Sequence, residues 1–527
     1  MNPESGPDTA ERTPSSSMDD DAFDSPAPLA DDRRLNTERV LPSRSNAQIA
    51  VASEAIGGPV GLHAAVGRSR HWTPLRVVFL LALIALGLSW YGKAGCLQQK
   101  PAHPADQSAS AGQDAGKQLN WNNQRQYYGL CYSDVIAFYD SQRLTIADLR
   151  NGTMPYRTYW FAQNAAGEQV GPRQYVSQPV LVGAFMYVAA KATQGWQALV
   201  DGTPIPKQLD VVTFFNISAL LLALLWLLAV WATMMTDRRR IWIGALMACS
   251  PLLLIHAFTA YEVIPVAMLA LAMMCWAHRR EVLAGLFLGL AASAALYPLL
   301  LIPVLAVVCL RNRRMHDFWA AIACAVIAWL TVNLPLLISY PQGTTAFYRD
   351  WWQRVPQPDS LYNLVIKATG WAPSTSLVNA LALILLVAVI CGVVYLAVRV
   401  PAPMPGRIDP VAPAQLMFLL VAGYLLVGKE WNPQSSLWLV PLAVLAIPHA
   451  RLLLAWMVID ALVWVPRMTL FLDPGRKWLP EEWFLVAVAV RAIFVLVLCG
   501  VVIRDLLTER APAAPAVTGP VYAGATG

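Results

Sequence analysis

Twelve apolar runs follow one another after residue 70, most of them close to the ~20 residues that a helix needs to cross a bilayer. They lie near 75–91, 211–235, 241–257, 261–277, 282–297, 298–311, 318–340, 376–399, 413–428, 435–448, 451–471 and 483–503. Such runs leave few folds open, because in hydrocarbon a chain must satisfy its own backbone N–H and C=O groups. Continuous apolar stretches of this length predict helices. The composition agrees: 57% of the 527 residues are hydrophobic and 14% charged, against ~25% charged in an ordinary soluble domain. The expected fold is therefore all-α and polytopic, with about 12 transmembrane helices. Short runs at 298–311 and 435–448 widen the count to 11–13.

Residues 1–70 differ in kind. Pro14 to Ser17, the acidic run Asp19 to Asp21 and the scarcity of aromatics predict a disordered tail; a second such tail is expected at 506–527. Arg68, Arg70 and Arg76 precede the first apolar run and place the N-terminus in the cytoplasm. The stretch 179–194 decides the remaining topology. Read as an amphipathic helix along the interface, it leaves Arg238 to Arg240, Arg279, Arg280, Arg311, Arg313, Arg314, Arg399, Arg407, Arg451, Arg504 and Arg510 all inside. Four segments then share the outer face: the long loop 93–210, the turn His256 to Glu262, the aromatic loop 341–375, and Lys429 to Gln434.

The net charge of +6 does not indicate nucleic acid, since the basic residues sit at span ends, where topology accounts for them. The eight cysteines show no metal-ligand spacing. Cys96 and Cys131 both fall in the outer loop, where a disulfide is permitted; the distance between them is not legible, so the pairing stays open. Asp460 and Arg491 lie at comparable depth in the last two spans. Intramembrane charges are costly and usually paired, so a structural ion pair is preferred over a transport-coupling one.

Few residues could carry chemistry. Asp134, in Cys131-Tyr132-Ser133-Asp134, is an acid among aromatics at a membrane surface, where desolvation makes a carboxylate a better base. It also precedes a helical stretch, and spacing alone favours a helix cap. Lys429 suits a phosphate as a compact point charge, or else anchors a span end. His256 could meet a phosphate or satisfy a helix end.

Together these outer segments resemble the GT-C glycosyltransferases of family 87, the polyprenyl-phosphate-mannose-dependent α-(1→2)-mannosyltransferase type. The first-loop pattern runs from Cys131-Tyr132-Ser133-Asp134 through Tyr139 and Arg143-Leu144 to Gly152 and Pro155-Tyr156. The late pattern is Lys429 to Gln434 followed by Leu437-Trp438-Leu439-Val440-Pro441-Leu442, and Ala260-Tyr261-Glu262 aligns loosely with a third element. Two positions depart from the family: Ser177-Gln178-Pro179 stands where it has Glu-Tyr-Pro, and Asn432 where it has Ser.

The resemblance implies a GT-C-like membrane enzyme with Asp134 as general base, and Lys429 and His256 on the donor phosphate. It further implies substrate contacts from Tyr132, Tyr156, Glu262, Asn432 and Gln434. The donor would be a polyprenyl-phosphate sugar, mannose by the family's example, and the acceptor a cell-envelope lipid or glycan. No Asp-x-Asp pair stands near Asp134, so neither a metal nor a cofactor is demanded. A transporter or flippase, or a non-catalytic cell-envelope partner, is the alternative reading. No clear inverted repeat supports the transporter.

Overall fold

The computed structural model describes residues 73–101, 116–163, 168–204, 206–237, 240–400 and 412–508. The described residues are 74% helical with almost no sheet. Among the described residues, six helices are long and apolar enough to cross a membrane: Pro74–Leu97, Asp210–Thr236, Met315–Ser339, Thr375–Arg399, Ala450–Leu470 and Glu481–Thr508. Six shorter apolar helices, Ile243–His256, Val263–Ala277, Glu281–Ala292, Tyr297–Arg311, Pro413–Val427 and Pro433–Ala446, account for the other six runs. Prolines explain most of the interruptions. Ser250 takes an extended ψ before Pro251 and divides the third run, while Pro466, with no N–H to donate, lies just past the break at Val463.

The centre of the protein is built from Val263–Ala277, Pro413–Val427 and Leu439–Ala446, whose apolar side chains are buried on nearly every face, and from Asp210–Thr236, which keeps Leu220 and Leu224 exposed. Thr375–Arg399 lies outside that core. Its Leu383, Ile384 and Val387 are at least half exposed, an arrangement that hydrocarbon tolerates and water does not. Close packing of Glu281–Ala292 on Met315–Ser339 depends on Gly285 and Gly289, spaced as Gly-x-x-x-Gly. A Cβ at either position would meet the carbonyl oxygen of Ala321 or Ala325. The same helix pair is joined by Asn333 Nδ2, which donates to Ser293 Oγ at 2.9 Å.

The long loop departs from an all-helical expectation in one respect. It carries two antiparallel ribbons, Gln99–Pro101 with Lys117–Leu119, and Trp160–Gln163 with Gln169–Gln174. The helix expected at 179–194 runs over Val180–Val200 and buries Val182, Met186, Ala189, Ala190 and Thr193, leaving Val188, Trp196 and Leu199 exposed. The last helix continues to Thr508, taking in the first three residues of the expected C-terminal tail. The tail readings for 1–70 and for 509–527 lie outside the described residues.

Cys96 and Cys131 are disulfide-bonded. The bond ties the end of the first spanning helix to the extended segment leading into Asp134, across a sequence separation of 35. Closing a loop of that size removes denatured-state entropy worth about 3–4 kcal/mol. Replacing both cysteines by serine is therefore expected to lower the thermal unfolding temperature, and reducing agent should do the same to the parent protein. An unchanged melting temperature in both would show that the bond restrains nothing.

Candidate active site

Asp134 opens the helix Asp134–Ser141, but it does not cap it. Ser133 does: its Oγ accepts from Val135 N at 3.2 Å and donates to Phe258 O at 2.6 Å. The Asp134 N–H is itself taken by Thr259 O at 2.7 Å. The capping reading of Asp134 is thus corrected, since a long-range contact with the turn after His256 fixes Ser133 in that role. Lys93, at the end of the first spanning helix, binds both sides of the contact, donating to Tyr132 O and to Thr259 Oγ1 at 2.9 Å each.

Freed from capping, the Asp134 carboxylate accepts from Tyr132 OH at 2.9 Å and lies 3.5 Å from Gln434 Nε2. Burial raises its pKa, against the opposing effects of the Tyr132 hydrogen bond and the Arg467 and Lys93 charges. It faces a cavity of about 200 Å³. The outer loop contributes Tyr127, Tyr132 and Asp134, the short turn Thr259, the aromatic loop Gln357, and the late motif Asn432 and Gln434. Every segment expected on the outer face reaches this one cavity.

A fifth wall was not anticipated. Trp464, Arg467 and Phe471 also line it. Arg467 Nε pairs with fully buried Asp359 at 2.8 Å, and Nη2 lies 3.4 Å from Asn432 Oδ1. The guanidinium is further held near the Phe471 ring, 5.4 Å from its centroid. Arg467 is the cation of this cavity. Its signal in the sequence was a charge inside the run 451–471, the same signal that singled out Asp460.

The remaining candidates sit elsewhere. Lys429 is buried and donates to Trp352 O at 2.9 Å and to Asn379 Oδ1 at 2.8 Å, with its Nζ 5.1 Å from the Trp351 ring centre. Burial lowers its pKa, with Glu430 opposing. It does not line the Asp134 cavity. His256 is fully buried behind Trp464, edge-on at 5.1 Å, and does not line the cavity either. Neither residue lines the cavity with Asp134: Lys429 is held by Trp352 and Asn379, and His256 packs against Trp464.

Tyr156 is a loop anchor, its hydroxyl 2.9 Å from both Gln178 O and Pro179 O. Glycine is required where it packs, since a Cβ on Gly183 or Gly343 would collide with it. Glu262 accepts from Trp438 Nε1 at 2.6 Å, and Trp438 stacks on Tyr297. Burial pushes the Glu262 carboxyl up to about 7, the Trp438 hydrogen bond opposing and Asp134 and Glu430 adding to the rise.

Asp460 and Arg491 form the expected pair at 2.9 Å, both fully buried. Arg491 also donates to Trp431 O at 2.8 Å, Asn432 O at 3.3 Å and Ser436 Oγ at 2.8 Å. The pair holds the late motif in place rather than lining a pathway.

Residues 204–427 match the model of glycosyltransferase family 87; of the motifs from which the resemblance was drawn, that span contains only Ala260-Tyr261-Glu262. Asp134 and the segment from Lys429 lie on either side of it. A search of curated proteins returns no match. Among solved structures, ArnT from Cupriavidus metallidurans bound to undecaprenyl phosphate is similar at 15% identity and a TM-score of 0.37, over 82% of this chain and 78% of that one. That likeness is too low to transfer the position of any residue.

Proposed function

We propose that this membrane glycosyltransferase, which resembles family 87 over residues 204–427, moves a hexose from a polyprenyl-phosphate donor to a hydroxyl of a cell-envelope lipid or glycan on the outer face of the membrane. Mannose is the sugar that the family resemblance suggests. The observation that carries the reading is the uncapped Asp134 carboxylate, aimed into a polar cavity that also holds one guanidinium, Arg467.

The chemistry asks for little more. The acceptor oxygen attacks the anomeric carbon while Asp134 takes its proton. The bond from that carbon to the phosphate oxygen breaks, and the phosphate leaves as a stable anion. No general acid is needed, unlike glycoside hydrolysis with its two carboxylates. Attack opposite the leaving group inverts the anomeric centre. Arg467 is placed to meet charge on the departing phosphate, Tyr132 orients Asp134, and Asn432 and Gln434 are neutral groups suited to sugar hydroxyls. The outer sidedness rests on the distribution of arginines. Outside the membrane nucleotide sugars are not supplied, which is the reason for a lipid-linked donor.

The test is direct. Purified protein is incubated with a panel of polyprenyl-phosphate hexoses and a cell-envelope lipid extract, and release of polyprenyl phosphate is followed. One hexose should be consumed with an acceptor-dependent rate. Silence across the whole panel, with folded protein, would remove the reading.

A further inference from the structure

Lys93 does not line the Asp134 cavity, but the residues it touches do: Tyr132, Thr259 and Trp464. It is 2% exposed, so its ammonium has left water. A buried charge is costly unless another charge answers it. Among the described residues the hydrogen bonds of its Nζ go to neutral oxygens, Tyr132 O and Thr259 Oγ1, and the Trp464 ring centre lies 5.2 Å away.

Asp134 has the converse need. Its carboxylate meets neutral donors, Tyr132 OH and Gln434 Nε2, while burial favours its protonated form. Arg467 opposes that effect, but its Nε already donates to both oxygens of Asp359, at 3.0 and 2.8 Å. In the proposed transfer the same guanidinium also serves the phosphate. Across the site stand Tyr261 and Glu262, both of which feel the Asp134 charge. Glu262, pushed up to about 7, is protonated below that pH and adds no like charge there.

Both residues that Lys93 binds are bonded to Asp134, Tyr132 through its hydroxyl and Thr259 through its carbonyl oxygen. The ammonium also lies three residues before Cys96, whose disulfide holds Cys131. The segment 131–134 is thus clamped by one turn of the first spanning helix. We propose that Lys93 is a positioning residue for the transfer: its ammonium is the counter-charge that keeps the Asp134 carboxylate ionised, and it pins the segment bearing that carboxylate. The proposal rests on Asp134 as the base, and it can be read without turnover.

Ionisation of Asp134 is followed by infrared titration of the full chain in detergent, its carboxyl band being the one that Asp134→Asn removes. Lys93→Met removes the charge and keeps the apolar stem. Lys93→Gln also keeps a donor for the Tyr132 carbonyl, which separates charge from pinning and replaces the methionine variant should that one not fold. Each should move the Asp134 midpoint upward by about half a pH unit or more, so that at acid pH the ionised fraction falls about threefold. The acid limb of the transfer rate should move to higher pH with it. An unmoved midpoint in folded Lys93→Gln would overturn the counter-charge, even with a rate lowered equally at every pH, which is what pinning alone would give. A shifted midpoint without any transfer by the parent protein would support the counter-charge while removing the transferase reading.

Discussion

Replacing Arg491 by methionine, with Asp460 left in place, is expected to destabilise the protein by about 3–5 kcal/mol, the range found when one partner of a buried ion pair is removed. Neither side chain has any exposed surface. Asp460 would keep the hydrogen bonds from Ser436 Oγ at 2.8 Å and Trp456 Nε1 at 3.2 Å, but its charge would lose its counter-ion. The Trp431 and Asn432 carbonyls and the Trp431 ring, 4.0 Å from the guanidinium carbon, would lose their partner as well. Pairing the change with Asp460→Leu removes the stranded charge and should recover much of the loss, since buried pairs are often replaceable by apolar residues of similar volume. Thermal unfolding in detergent reads both. If Arg491→Met alone melts with the parent, the pair does not hold the late motif. The double variant should still turn over poorly, because Asn432 would lack its backbone anchor.

How much of this was legible in the sequence varied with the range of the physics involved. The apolar runs were plain, because the demand for internally satisfied backbone acts locally, and their interruptions were marked by Pro251 and Pro466. Asp460 and Arg491 were matched by depth alone. Asp134 could not be separated from a cap, because Ser and Asp cap about equally well. The choice was made by Phe258 and Thr259, more than a hundred residues away. The place of Lys429 outside the Asp134 cavity was illegible for the same reason: its partners Trp352 and Asn379 stand 77 and 50 residues distant. Arg467 was hidden inside an apolar run, and its partner Asp359 lies in a different loop. The late motif reached the cavity through Asn432 and Gln434 instead of through its lysine.

Asp134→Asn bears on the central claim more directly than any other change. The substitution keeps the shape of the side chain, and an amide oxygen can still accept from the Tyr132 hydroxyl, but the base is gone. The helix should not suffer, because its cap is Ser133. A positioned general base contributes about 10²–10⁴ in rate. The pH dependence of the parent enzyme carries the same signature. The base works deprotonated and burial raises its pKa, so the rate should fall with decreasing pH earlier than an ordinary carboxylate would dictate, and Asp134→Asn should lose that limb. The deciding measurement is the transfer rate from a polyprenyl-phosphate sugar at equal folded protein. A loss of about 10²–10⁴, with undecaprenyl phosphate binding and melting temperature unchanged, is the predicted result. Activity within a few-fold of the parent would contradict the assignment of Asp134 as the base, and with it the mechanism.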